Sequence, residues 1–428
     1  MNKLSILCFL FCHSATMHSQ PAPAEKQQEA IAIVGATIHV GNGQSIANGV
    51  VVFEKGVLQY VGTDFNKAVN IKNRIDASGK HIYPGFICMA TNLGLAEIEQ
   101  VKATIDYEEF GSMNPNVRSL ISYNTDSKII PTVRSNGMLL AQVIPNGGII
   151  SGQSSVMQLD AWNWEDAVVK ADEGIFLNWP SPNPPRRFGP DADKTQQDPD
   201  RYQTEMNALK AYFDEAQAYS KVPHKTNVNL AYESMKDLFK GIKKLYIRTQ
   251  AAKAIIHSVQ FAEKYGLKPV LVGANEAWRV VDFLKEHQVS IILGQVHSLP
   301  AREDDDYDQP FKNPKILQDA GILYCFSITG FWEQRNLHFQ AGHALGYGLN
   351  YEQAIAGLSL NPAKILGLDQ RLGSLEAGKE ATLFVSDGDV LDMRTSRVTR
   401  AFIQGRAIDL DNKQKELYRR FYAKYHPE

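Results

Sequence analysis

Long apolar runs are scarce in this chain of 428 residues. The one near the start, Leu4 to Cys12, is about half the ~18–20 residues that a bilayer-crossing helix needs, and no other candidate for a span follows it. Cysteine is nearly absent: of four, Cys8 and Cys12 lie in that first run, which leaves Cys88 and Cys325. Two cysteines make no disulfide framework, so the fold must rest on an apolar core in which these thiols act as small hydrophobes. Nor does either charge predominate. Lys and Arg number 45 against 47 Asp and Glu, a formal charge of -2, which gives no reason to propose nucleic acid or an anionic membrane as partner. With 44% hydrophobic and 21% charged residues, the chain has an ordinary globular composition and the length for one large domain plus a small one.

The start of the chain carries its own pattern. Lys3 precedes the short apolar run, and Ser14-Ala15-Thr16-Met17-His18-Ser19-Gln20 follows it with small and polar residues. This predicts a signal peptide over residues 1–20, cleaved near Gln20, with an uncleaved N-terminal anchor as the alternative. The mature chain is then expected to be exported, periplasmic or secreted, with no membrane span after cleavage.

Residues 31–62 read as short strands and turns, with a hairpin around Lys55-Gly56. A second β pattern returns at residues 373–385 and 398–408. Between them strands and helices alternate. Strands are predicted at Met138–Ile144, Gly174–Asn178, Lys244–Arg248, Pro269–Gly273, Val289–Val296 and Ile322–Ser327; amphipathic helices fall at Gln250–Tyr265 and Glu276–Lys285. Continuous apolar strands separated by helices imply a parallel sheet covered on its outer face. Asn350 with Gln353 forms a predicted capping pair. A proline-rich insertion, Pro180 to Asp200, precedes a helix over Arg201–Lys221 and reads either as a solvated loop or as a lid.

Three motifs carry a resemblance. Tyr83-Pro84-Gly85-Phe86-Ile87 opens a strand, Asn361-Pro362-Ala363-Lys364-Ile365-Leu366-Gly367 closes the last helical stretch, and Gly373-Ser374-Leu375-Glu376-Ala377-Gly378-Lys379-Glu380-Ala381 follows. Together, over roughly residues 30–410, they resemble the metal-dependent amidohydrolases, in particular the imidazolonepropionase-like members. The resemblance implies an α/β fold: a (β/α)8 TIM-like barrel over residues 85–370, a small split β-sandwich from residues 29–84 and 371–410, and a helical tail over 411–428. It also implies hydrolysis of carbon–nitrogen bonds other than peptide bonds, and a divalent metal such as zinc that activates water. Barrel closure would make the first and last strands neighbours, so Cys88 and Cys325 are expected to approach each other.

The metal positions are where the chain departs from that family. After Pro84-Gly85, the family's Asp and His-x-His correspond to Cys88, Ala90 and Asn92. The strand-four segment carries no lysine, the His of strand five corresponds to Arg248, that of strand six to Gly273, and the Asp of strand eight to Ser327 or Thr329. A methyl, a neutral amide, a guanidinium and a glycine are poor zinc donors or none. No cofactor is therefore expected.

Other chemistry-bearing residues are few. His297 at a strand end, with Glu97 and Glu99 after strand one, are the candidate catalytic groups; Asp106, Glu108 and Glu109 lie in the same loop. Arg248, Asn92 and Thr329 are the candidate ligand-binding residues, Arg248 holding either an anionic ligand or an internal acid such as Glu97 or Glu99. The acidic run from Arg302 to Asp308 offers oxygens to a hard cation or is simply solvated. Two functions remain open: an exported amidohydrolase with a rebuilt site, or a pseudoenzyme that binds a small, anionic molecule or pairs with itself or an intact homologue.

Overall fold

The computed structural model describes residues 22–181, 200–223 and 227–426. The expected signal peptide and most of the proline-rich insertion lie outside the described residues. Sixteen strands among the described residues form two sheets of eight.

The first sheet joins the two ends of the chain. Strands β1 (Ile31–His39), β2 (Ser45–Glu54), β3 (Val57–Gly62), β4 (Asn73–Asp76) and β5 (His81–Pro84) come from the N-terminal part; β14 (Leu383–Ser386), β15 (Val398–Ile403) and β16 (Arg406–Ala407) come from the C-terminal part. Their order is β16-β15-β14-β5-β1-β2-β3, with β4 also beside β1. The antiparallel β14–β5 ladder, Leu383 opposite Pro84 through Ser386 opposite His81, crosses the sequence gap. Lys55 and Gly56 both have positive φ, 51° and 79°, as the tight two-residue turn between β2 and β3 requires. The apolar face of this sheet buries Ile33, Ile38, Phe53, Leu58, Ile82, Leu383 and Phe402.

The second sheet is the barrel. Its strands run in chain order: β6 (Phe86–Thr91), β7 (Met138–Val143), β8 (Ile150–Gln158), β9 (Val168–Asn178), β10 (Lys244–Thr249), β11 (Pro269–Gly273), β12 (Ser290–Leu293) and β13 (Tyr324–Phe326). The barrel is TIM-like but irregular. Strand β8 runs antiparallel to both neighbours, whereas the other joins are parallel. The reason is local: only the turn around Gly147-Gly148 separates β7 from β8, too short for the crossover helix that a parallel join needs.

No ladder joins β13 to β6 among the described residues, so the barrel is nearly rather than fully closed. Helices surround it: α1 (Ile130–Arg134), α2 (Trp164–Ala167), α3 (Arg201–Ser220), α4 (Leu230–Phe239), α5 (Ala252–Lys264), α6 (Val281–Glu286), α7 (Gln309–Asp319), α8 (Leu337–Leu345) and α9 (Tyr351–Leu358), with α10 (Leu360–Leu366) packed against the inner layer. Helices α9 and α10 touch both β6 and β13 and so cover the seam. The predicted Asn350–Gln353 capping box is present at the start of α9. A last helix, α11 (Lys413–Tyr425), ends the described chain.

Two apolar layers sandwich the barrel strands. Ile87, Met89, Val156, Phe176, Tyr246, Val272, Ile292 and Cys325 fill one side with residues of α10; Phe86, Cys88, Ala141, Ile175 and Leu177 pack the other with the helices. Cys88 and Cys325 therefore belong to different layers, and both are free thiols. No disulfide joins them, and strand alternation sends the two side chains to opposite faces.

Candidate functional site

The carboxyl ends of β6, β7, β9 and β10 gather a polar network around Arg248. Parallel pairing sets Arg248 opposite Asn178, which places both side chains on one face of adjacent strands. The Arg248 guanidinium donates to Asn178 Oδ1 at 3.1 Å, Asn146 Oδ1 at 2.7 Å and the Pro145 carbonyl at 3.5 Å. Each asparagine is fixed with its oxygen toward the arginine because its amide nitrogen is used elsewhere. Asn178 donates to the Gly148 carbonyl at 2.8 Å and Ser151 Oγ at 3.0 Å, and Asn146 donates to Asn92 Oδ1 at 2.9 Å. Asn92 in turn donates to the Ile144 carbonyl at 2.7 Å. Glycine is required in the connecting turn: Gly147 and Gly148 have φ of 81° and 61°.

Every acceptor that Arg248 meets is neutral. No carboxylate among the described residues pairs with it, so the internal acid expected from the sequence is not there. Glu97 instead accepts from Asn124 Nδ2 at 3.4 Å and from the Lys128 amide at 3.3 Å, and Glu99 is exposed. Burial without a counter-charge pulls the Arg248 pKa down to about 10, which still leaves it cationic at neutral pH. Two of the five guanidinium N–H groups take none of these acceptors.

Below the arginine lies an aromatic floor. The guanidinium sits 5.2 Å from the Phe176 ring centre, and Phe176 stacks on Tyr246 at 4.7 Å. Tyr246 then donates to Glu173 at 2.9 Å, and Ser154 Oγ and Gln142 Nε2 each donate to the same carboxylate at 2.6 Å. Glu173 is fully buried, and desolvation raises its pKa against these three donors. Gln142 also accepts from the Ala90 amide at 3.1 Å, which ties this carboxylate to the end of β6. Ala90 itself adopts a left-handed backbone, φ 53°, where the β6–β7 register shifts.

The remaining expected site residues do not join this network. His297 is exposed, its ring 4.7 Å from that of His343 and 5.9 Å from Phe311, and its amide donates to Gln340 Oε1 at 2.8 Å. Among the described residues, no hydrogen bond or ion pair of its ring to a carboxylate is present. Thr329 is exposed, and Ser327 Oγ donates to the Leu293 carbonyl at 2.7 Å. The acidic run is paired with cations: Arg279 reaches Asp305, Arg302 reaches Glu276, and Lys312 binds Asp306 at 2.9 Å and Asp308 at 2.6 Å.

The residues at the five metal positions do not fit a divalent cation. Ala90 and Gly273 carry no donor, Asn92 uses its oxygen and nitrogen within the amide chain, Thr329 faces solvent, and Arg248 brings a positive charge. Among the described residues, no group of three or more His, Cys, Asp or Glu side chains is placed to hold a metal. The sequence reading missed Asn146, Asn178 and Glu173. The first two follow or end predicted strands, at the end of the barrel where such folds place working residues, and that position was the available signal.

Comparison with known proteins fits this architecture. Residues 331–408 match the amidohydrolase family, a segment that begins after all five metal positions. Over 94 residues the chain is 33% identical to the amidohydrolase tasK of Hapsidospora irregularis, a match spanning 22% of this chain and only 10% of that protein. Among solved structures, an amidohydrolase from Thermotoga maritima MSB8 superposes with a TM-score of 0.77 at 22% identity, covering 89% of this chain and 99% of that one. A molinate hydrolase gives 0.57 at 16% identity, over 90% of this chain and 95% of that one. A Xaa-Pro dipeptidase gives 0.55 at 12%, over 89% and 100%. Fold and motifs thus define a TIM-like barrel protein with a separate β domain. The C-terminal third of the chain carries the match to the amidohydrolase family, and the whole described chain shares the fold of these structures.

Proposed function

We propose that this chain is an exported pseudoenzyme of the amidohydrolase superfamily whose barrel mouth binds a small carboxylate-bearing molecule on Arg248, the metal-dependent chemistry having been lost. One observation carries the reading: a partly buried guanidinium, oriented by two asparagines, has only neutral acceptors and keeps two N–H donors for a ligand. The remaining N–H groups can donate charge-assisted hydrogen bonds to a carboxylate, and the shielded mouth strengthens them. Asn146 and Asn178 hold the fork in place, and Phe176 supplies an apolar wall beneath it.

The second reading, a working hydrolase of carbon–nitrogen bonds other than peptide bonds, is favoured by the hydrolases among the structural neighbours. It needs an activated water. Metal analysis of the dialysed protein, paired with calorimetric titration of short mono- and dicarboxylates, separates the two. Binding of a carboxylate by metal-free protein is the expected result. A tightly held pair of zinc or manganese ions together with amide hydrolysis would overturn the pseudoenzyme reading. Export is tested by sequencing the mature N-terminus from the secreted or periplasmic fraction.

A further inference from the structure

Helix α11 is a 13-residue element with no buried residue. Its first turn is tied to α1 and the residue after it: Thr132 Oγ1 donates to Gln414 Oε1 at 2.7 Å, and Asn412 donates to Ser135 Oγ at 3.0 Å. Beyond that only Leu417 is half-buried. Tyr418, Phe421, Tyr422 and Tyr425 stand 67%, 50%, 51% and 68% exposed. Helices of fewer than ~12–15 residues are marginal in water without a packed face, so this face calls for a partner.

The pattern of side chains says which partner. At ~100° per residue, the four aromatic residues fall within one stripe about a quarter to a third of the helix wide. Lys415 and Arg419 follow one edge of that stripe, Lys424 and Lys413 lie off the other, and Arg420 falls with Glu416 and Ala423 on the opposite face. Five cations against one carboxylate make a local charge of +4 in a chain whose overall charge is -2. With Asp409 and Asp411 just before it, the latter paired with Arg419, the segment 409–425 still carries +2. A second copy of the helix would set like charge against like charge.

We propose that α11 is a peripheral docking helix for an anionic phospholipid surface. The aromatic stripe enters the headgroup layer, where tyrosine keeps its hydroxyl wet and its ring in the apolar boundary. The cations along both edges reach phosphate, with their stems lying over the apolar boundary. Whole-chain charge balance concealed this local concentration, and for that reason composition gave no hint of an anionic membrane. The helix is far too polar to cross a bilayer, and among the described residues no helix is long and apolar enough to do so.

The test is flotation of the full chain with vesicles of phosphatidylglycerol and phosphatidylcholine in equal parts, against phosphatidylcholine alone. Several basic residues near an anionic surface predict at least about tenfold stronger partitioning onto the mixed vesicles, weakening as salt is raised. Phe421→Ser with Tyr425→Ser should remove the binding, and Lys415→Gln with Arg419→Gln should remove the preference for anionic vesicles. Because the N-terminal apolar run is common to all these chains, differences between them report α11. Melting temperatures should not change, since the substituted residues are exposed. Equal partitioning on both vesicles, binding to neither, or binding kept by the Phe421/Tyr425 variant overturns the proposal.

Discussion

Replacing Arg248 by Met probes the barrel mouth most directly. Methionine keeps a long stem over Phe176 and removes the charge. Burial lowers the arginine pKa from 12.5 to about 10, and at ~1.36 kcal/mol per unit the charge costs the fold about 3 kcal/mol at neutral pH. Against this stand the hydrogen bonds to Asn146 and Asn178, at 2.7 and 3.1 Å, each contributing about 1–1.5 kcal/mol net. The terms nearly cancel, so Arg248→Met should change stability by less than ~1.5 kcal/mol, with water at the mouth replacing the lost donors. Breaking a buried arginine–carboxylate pair would instead cost ~3–5 kcal/mol. The assay is urea denaturation at neutral pH, with carboxylate titration of the same protein. Stability should survive and binding should vanish. A loss beyond ~3 kcal/mol would mean that an acid partners Arg248 after all; unchanged carboxylate binding would mean that the arginine is not the receptor.

Other outcomes follow from the same geometry. Burial raises the Glu173 pKa above 4.5, so the folded chain holds that proton more tightly than the unfolded one; its stabilising contribution is present in acid and lost as pH rises through the raised value. Glu173→Gln should therefore gain stability relative to the parent between acid and neutral pH, measured by denaturation across that range. His338, fully buried, is held neutral with its pKa lowered from 6.5 to about 3, so stability is lost as pH falls through that window, and His338→Met should flatten the acid limb of a pH–stability profile. Asp160 is buried and accepts from Arg134 at 2.8 Å, Arg406 at 2.9 Å and the Ala24 amide at 3.0 Å; Asp160→Ala leaves two cations unpaired and should cost ~3–5 kcal/mol in chemical denaturation. Gly148→Ala, at φ 61° and with a Cβ only 2.9 Å from the Ser112 carbonyl, should cost ~1–3 kcal/mol and weaken carboxylate binding by displacing the carbonyl that orients Asn178.

Local chemistry was legible in the sequence because it depends on neighbours a few residues away. The Lys55-Gly56 turn, the Asn350–Gln353 capping box and the apolar strands from Lys244 to Gly273 all formed where residue type and spacing placed them. That Ala90 and Gly273 bring no side-chain donor was equally readable, since residue type alone decides it. What the sequence could not determine was partnership across the barrel. Arg248 had candidate acids nearby in the reading, yet strand register put Asn178 beside it and a two-glycine turn brought Asn146, while Glu97 turned toward Lys128. Glu173 became a buried acid only because β8 runs antiparallel and delivers Ser154 to it. Cys88 and Cys325 were separated by alternation at a seam that no ladder closes. A residue's type fixes which bonds it can make; only packing, which decides which groups lose water together, fixes the bonds it does make.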